Sequence, residues 1–112
     1  MMPAVTLIIK DKVVPVELRS MERQIKKRIE DIGGKNIQLA TLQQIVEADW
    51  PEVDMAVVGF FYKHKKTIGT EYVQIMGDDH LRNVLADMAW EMGKSEKTYV
   101  VLYLSPLTGN SA

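Results

Sequence analysis

No cysteine occurs among the 112 residues, which excludes a disulfide framework, a thiol nucleophile and a thiolate metal site in one step. Histidine is nearly as scarce. His64 and His80 are the two copies, and neither has a second His or an acidic motif at a recognised ligand spacing. A long apolar run is missing too. The opening Met1-Met2-Pro3-Ala4-Val5 lacks a basic n-region, and the run Val5 to Ile9 is too short for a signal h-region or a membrane span. The expectation is a cytoplasmic protein without a membrane partner. Charge of one sign is absent as well: Lys+Arg 14 against Asp+Glu 15 leaves a net charge of -1, so no global electrostatic attraction draws the chain to nucleic acid. The glycines at 33, 34, 59, 69, 77, 93 and 109 form neither a phosphate loop nor a dinucleotide fingerprint. Gly33-Gly34-Lys35 stands after a helical pattern, which is the wrong end for phosphate. Ser20, Ser95 and Ser105 lack the surroundings of an activated nucleophile. No catalytic residue, metal ligand or cofactor is assigned, and the balance leans away from an enzyme.

What is present describes a globular unit. A hydrophobic share of 46% with 26% charged residues is that of a folded domain rather than a disordered tail. At 112 residues the chain fits one domain, residues 1–112, with a frayed tail over 106–112. Val5 to Lys10 reads as a strand, Asp11-Lys12 as a turn and Val13 to Leu18 as a return strand placed at an edge by Pro15. Ser20 then caps a helix on which Met21, Ile25, Ile29 and Ile32 recur until Gly33-Gly34. Thr41 with Gln44 forms a capping-box pattern for a short helix carrying Leu42, Ile45 and Val46, closed before Trp50-Pro51. Trp50 is expected to plug the core. Met55 to Lys63 and Thr67 to Met76 form a hairpin with a basic tip, Lys63-His64-Lys65-Lys66. Asp78 or Asp79 caps a helix ending at Gly93, and Lys97 to Ser105 supplies a last strand.

The order ββ-α-(α)-ββ-α-β predicts an α+β two-layer sandwich, a mainly antiparallel sheet of about five strands with two main helices on one face. The leading topology is a split βαβ, ferredoxin-like arrangement. A β-grasp-like sheet is the alternative.

The second sheet face carries the functional expectation. Tyr99, Val101 and Tyr103 alternate with Val100, Leu102 and Leu104, so both sides of the last strand are apolar or aromatic. Fully burying one large apolar side chain contributes about 1.5–3 kcal/mol, and two helices can cover only one face. A second subunit or a ligand is the simplest cover. Trp90 falls opposite the stripe Leu81, Val84, Leu85, Met88, Met92 and reads as an interface anchor. The expected function is a homo-oligomeric binding or regulatory module, a dimer by preference, holding a small apolar ligand at the seam against Tyr72, Tyr99 and Tyr103.

The alternative is a nucleic-acid-binding module. Gly59 to Lys66 combines aromatics with cations, and Phe61, Lys63, Lys65 and Lys66 are its candidate contacts. The charge is unevenly spread, with basic groups at Arg19 to Arg28 and at the hairpin tip and acidic groups at Glu47 to Asp54 and Asp78-Asp79. A dipolar molecule is expected. An enzyme of unknown class requires a crevice that gathers Asp78, His80 and another polar group; the plainer reading of Asp78-Asp79-His80 is a helix start with acidic caps.

Overall fold

A computed structural model describes residues 5–12, 23–92 and 99–107, and for residues 90–92 the backbone only. Five strands and two helices follow in the order β1 (Thr6–Asp11), β2 (Gln24–Arg28), α1 (Leu39–Asp49), β3 (Val58–Lys65), β4 (Thr70–Gln74), α2 (Asp78–Met92) and β5 (Tyr99–Pro106). Two short 3-10 turns, Ile29–Ile32 and Gly34–Asn36, lead from β2 to α1.

The strands form one sheet in the order β2-β1-β5-β3-β4. β1 and β5 run parallel at its centre, and the other three pairings are antiparallel. A split βαβ starting from Val13 to Leu18 would seat the last strand at the edge of the sheet. Here β5 lies between β1 and β3, which is the strand order of the β-grasp-like alternative. The two-layer α+β class holds, and the topology within it is corrected.

Alternation then sorts the side chains. Leu7 and Ile9 of β1, Ile25 of β2, Val58 and Phe60 of β3, and Val100, Leu102 and Leu104 of β5 share one face by their register. These residues form a single buried cluster with Leu42 and Val46 of α1 and Leu81, Val84 and Leu85 of α2. Both helices therefore cover this face. Trp50 and Val53 close the turn after α1 in the same cluster, so Trp50 is the core plug its position suggested.

The helix expected between Ser20 and Gly33 is the main local correction. Residues 24–28 are a strand, paired with β1 from Lys10↔Gln24 to Thr6↔Arg28, and the Ile29 N–H extends the ladder by donating to the Val5 carbonyl at 2.9 Å. Residues four apart share a face on a helix and on a strand alike, so Ile25 and Ile29 satisfy both periods. Pairing with β1 decides. The Lys26-Lys27-Arg28 run suits an outer strand, where charged side chains block pairing with a further chain. The return strand at Val13 to Leu18, Ser20 and Met21 lie outside the described residues.

Three boundaries also move. α1 starts at Leu39 rather than at a Thr41 cap, with Gln38 before it making no side-chain cap. The hairpin tip lies later than expected: Lys66 N–H donates to the Gly69 carbonyl at 3.0 Å, Gly69 has φ 80, and Lys63, His64 and Lys65 are strand residues. β5 continues through Pro106, paired with Val58, and the Leu107 N–H donates to the Val57 carbonyl at 2.9 Å. The chain is thus ordered where fraying was expected to begin.

Candidate functional site

The sheet face opposite the helices gathers residues from all five strands. Register places Gln24, Lys10, Tyr103, Phe61 and Gln74 in one cross-strand row, and Arg28, Thr6 and Tyr99 in another. Between these rows lie Lys26, Ile8 and Val101. Lys63 pairs with Tyr72, and Lys65 with Thr70, towards the hairpin end. Among the described residues no helix covers this face.

An aromatic pair stands near its centre. The Tyr72 and Tyr103 rings meet edge to face, with centroids 5.0 Å apart at 85°, the arrangement that ring quadrupoles favour. Lys12 Nζ sits 4.7 Å from the Tyr72 centroid and 5.5 Å from that of Tyr103. Lys63 Nζ lies 5.9 and 6.0 Å from the same two centroids. Two ammonium groups thus flank one ring pair within cation–π range. Tyr103 is buried beneath this arrangement, whereas Tyr72 and Tyr99 remain 42% and 43% exposed. Phe61, Ile8 and Val101 are half-buried.

The charge on this face has one sign. Lys10, Lys12, Lys26, Lys63 and Lys65 occupy it, with Arg28 at its corner paired to Glu30 at 3.4 Å, and no Asp or Glu does so among the described strand positions. Exposed carboxylates gather in the other layer, Glu47 and Asp49 on α1, Glu52 and Asp54 in the following turn, and Asp78, Asp79 and Asp87 on α2, whereas Asp11 and Glu71 sit on strands with the helix-side phase and Glu30 and Asp31 in the turn after β2. A chain of net charge -1 therefore presents a cationic sheet face and an acidic helix layer, the dipolar distribution expected from the sequence.

Tyr72, Tyr99 and Tyr103, assigned to a ligand seam, share this face with Phe61, Lys63 and Lys65, assigned to nucleic acid. Tyr72 and Tyr103 touch. Tyr99 lies four residues up β5 from Tyr103, about 13 Å at strand rise. Lys66 does not join them, because its Nζ pairs with Glu71 at 2.8 Å. Trp90 stands in the last turn of α2, and its side chain lies outside the described residues. Lys10, Lys12 and Lys26 were missed as site residues. The signal was the phase of β1, where Thr6, Ile8, Lys10 and Lys12 alternate with Leu7, Ile9 and Asp11.

The Asp78-Asp79-His80 cluster has structural partners instead of a common focus. Asp78 Oδ1 accepts from the Leu39 N–H at 2.8 Å, so it caps α1 rather than its own helix. His80 Nδ1 accepts from the Met76 N–H at 3.1 Å, and its ring stands edge-on to Tyr62 with centroids 5.8 Å apart. Arg82 ties α2 to the segment before α1 through Nε to the Ile37 carbonyl, 3.1 Å. No group of three or more metal-ligating side chains occurs among the described residues.

Elsewhere, Arg23 joins the two layers. Its Nε donates to Asp11 Oδ2 at 2.7 Å, its terminal nitrogens pair with Asp11 and Glu52, and its guanidinium lies 4.7 Å from the Trp50 ring centroid. Hydrogen bonding to Arg23 holds the Glu52 carboxyl below its usual range. Desolvation opposes the charged form of Arg23, but its bonds to Glu52 and Asp11 outweigh it and raise its pKa.

Among the described residues no helix is long and apolar enough to cross a membrane. No protein-family model matches the chain, and neither a curated protein nor a solved structure gives a significant match.

Proposed function

We propose that the protein is a binding module whose open sheet face receives an anionic partner. One observation carries this reading: the Tyr72–Tyr103 pair lies between Lys12 and Lys63 on a face where the described charges are all positive. Such a surface offers ring contact and charge neutralisation together. It also bears on the dimer expected from the sequence. A two-fold interface sets a patch against its own copy, so pairing through this face would oppose Lys10, Lys26 and Lys63 with their equivalents, an arrangement that like-charge repulsion disfavours. A homo-oligomer of this chain would use another surface, and the open face remains for a ligand of opposite charge.

Heparin chromatography at pH 7.5 tests the reading. The sequence pI is about 6.1, so a protein without a local cationic face would flow through at low salt. Retention at 50 mM salt and release well below 1 M are expected. Lys12→Glu with Lys63→Glu should abolish retention while the circular dichroism spectrum is kept. Flow-through of the wild-type protein at low salt would refute the proposal.

A further inference from the structure

Resting on the reading that the open face binds an anion, we infer that its occupant is a single-stranded polynucleotide, RNA or DNA. Three features select this polyanion. The first is the mixture of groups. An anionic partner without rings would need only the ammonium groups, whereas here Tyr72 and Tyr99 keep about two-fifths of their surface in water beside half-buried Phe61. Every base has a π-face, so exposed rings on a cationic sheet suit unpaired nucleotides.

The second feature is spacing. The rings occupy three adjacent strands: Tyr103 and Phe61 share one cross-strand row, and Tyr72 on β4 and Tyr99 on β5 lie two and four residues from that row on the same side. Strands lie about 4.8 Å apart and rise about 3.3 Å per residue, so the rings cover a patch of about 13 Å by 10 Å, room for more than one base. The cations flank it on both sides: Lys10 and Lys26 are on the β1–β2 half, while Lys63 and Lys65 lie on the β3 half. A backbone crossing the rings keeps its phosphates near an ammonium group on either side.

Shape is the third. A sheet surface cannot enter the groove of a duplex as a helix or a two-stranded ribbon can, and stacking needs bases released from their partners. The acidic helix layer, Glu47 through Asp54 and Asp78, Asp79 and Asp87, repels the same backbone and would orient the encounter towards the open face.

Fluorescence anisotropy tests the inference, using labelled 20-nucleotide single strands of RNA and of DNA, the corresponding duplex, polyphosphate, poly-glutamate and phosphatidylserine vesicles. Single strands should bind more tightly than the duplex and than polyphosphate. Tyr72→Leu and Tyr99→Leu should each weaken single-strand binding about 5- to 150-fold and leave polyphosphate binding within twofold. Replacing Lys12 and Lys63 together by Gln should lower the slope of log affinity against log salt by about 1.4. Melting temperatures of all variants serve as the folding control, and both tyrosines are exposed enough to be replaced without opening the core. Equal binding of polyphosphate and single strands, with no response to either tyrosine change, would overturn the nucleic-acid assignment and leave the anion-binding face standing. Preference for poly-glutamate or for vesicles would also overturn it, in favour of an acidic protein or a membrane surface. No binding by any polyanion would defeat both readings.

Discussion

Replacing Arg23 by Met should destabilise the protein far more than removing either its exposed partner or its positive charge alone would suggest. The guanidinium bridges Asp11, whose side chain is 2% exposed, and Glu52, which is 57% exposed. Met keeps an aliphatic stem over Trp50 and deletes the cation. Taking the guanidinium from a buried carboxylate costs about 3–5 kcal/mol; because Asp11 has further interactions, the lower end, about 3 kcal/mol, is expected. At about 4 °C per kcal/mol for a domain of this size, the melting temperature should fall about 12 °C. Glu52→Gln removes the exposed arm, which solvent screens, and should melt only slightly below wild type. Combining Arg23→Met with Asp11→Leu removes both charges of this pair and should recover stability to within about 1 kcal/mol of wild type. Urea denaturation and thermal melts at pH 7 measure all four proteins. Should Arg23→Met cost no more than Glu52→Gln, the assignment of the energy to the buried arm is wrong.

Three further outcomes follow from single contacts. Asp78→Ala leaves the Leu39 N–H without its acceptor and takes a negative charge from the start of α1, so a loss of about 1 kcal/mol is expected in urea melts. Gly33→Ala must hold φ 124 and bring a Cβ to 2.9 Å from Ile37 Cα, which should cost about 2 kcal/mol; Gly34→Asn, at φ 55 with open space, should be nearly neutral in the same assay. The pH dependence comes from Glu52. Its folded pKa lies below the ordinary 4.5, so between the two values the unfolded chain binds more protons and stability rises with pH. Acidification through and below pH 4.5 should therefore cost wild type a small increment that Glu52→Gln does not lose, read as converging melting temperatures.

The layer structure was legible in the sequence because the two faces of β5 differ in kind: Val100, Leu102 and Leu104 are aliphatic and Tyr99 and Tyr103 carry hydroxyls. That difference also located two of the rings, Tyr99 and Tyr103, on the open face. Strand β2 was not legible, since Ile25 and Ile29 fit a helix as well as a strand and only the Ile9↔Ile25 register with β1 resolves the choice. The cations of β1 escaped for a related reason. Lys12 reads as a turn residue if β1 folds back at Asp11, yet the Lys12 N–H donates to the Leu104 carbonyl at 2.8 Å and so keeps the phase of the strand, which places its ammonium group over Tyr72. The basic tip was misplaced because four polar residues in a row resemble a loop. Their alternation is hidden until Lys63 is seen opposite Tyr72 and Lys66 is seen with Glu71. The capping role of Asp78 is a long-range fact, made between residues 39 apart in the chain, and no local pattern announces it.

The parallel pairing at the middle of the sheet governs how the protein is made. Thr6 and Tyr99 are neighbours there, so nearly the entire chain must be looped out before the two halves, β2-β1 and β3-β4, can be joined. Closing so large a loop is entropically slow. During synthesis the first strand waits for the last one to leave the ribosome. Until β5 arrives, the aliphatic sides of both half-sheets lack their common neighbour, and a nascent chain is most exposed to misassembly or to chaperone capture in that interval.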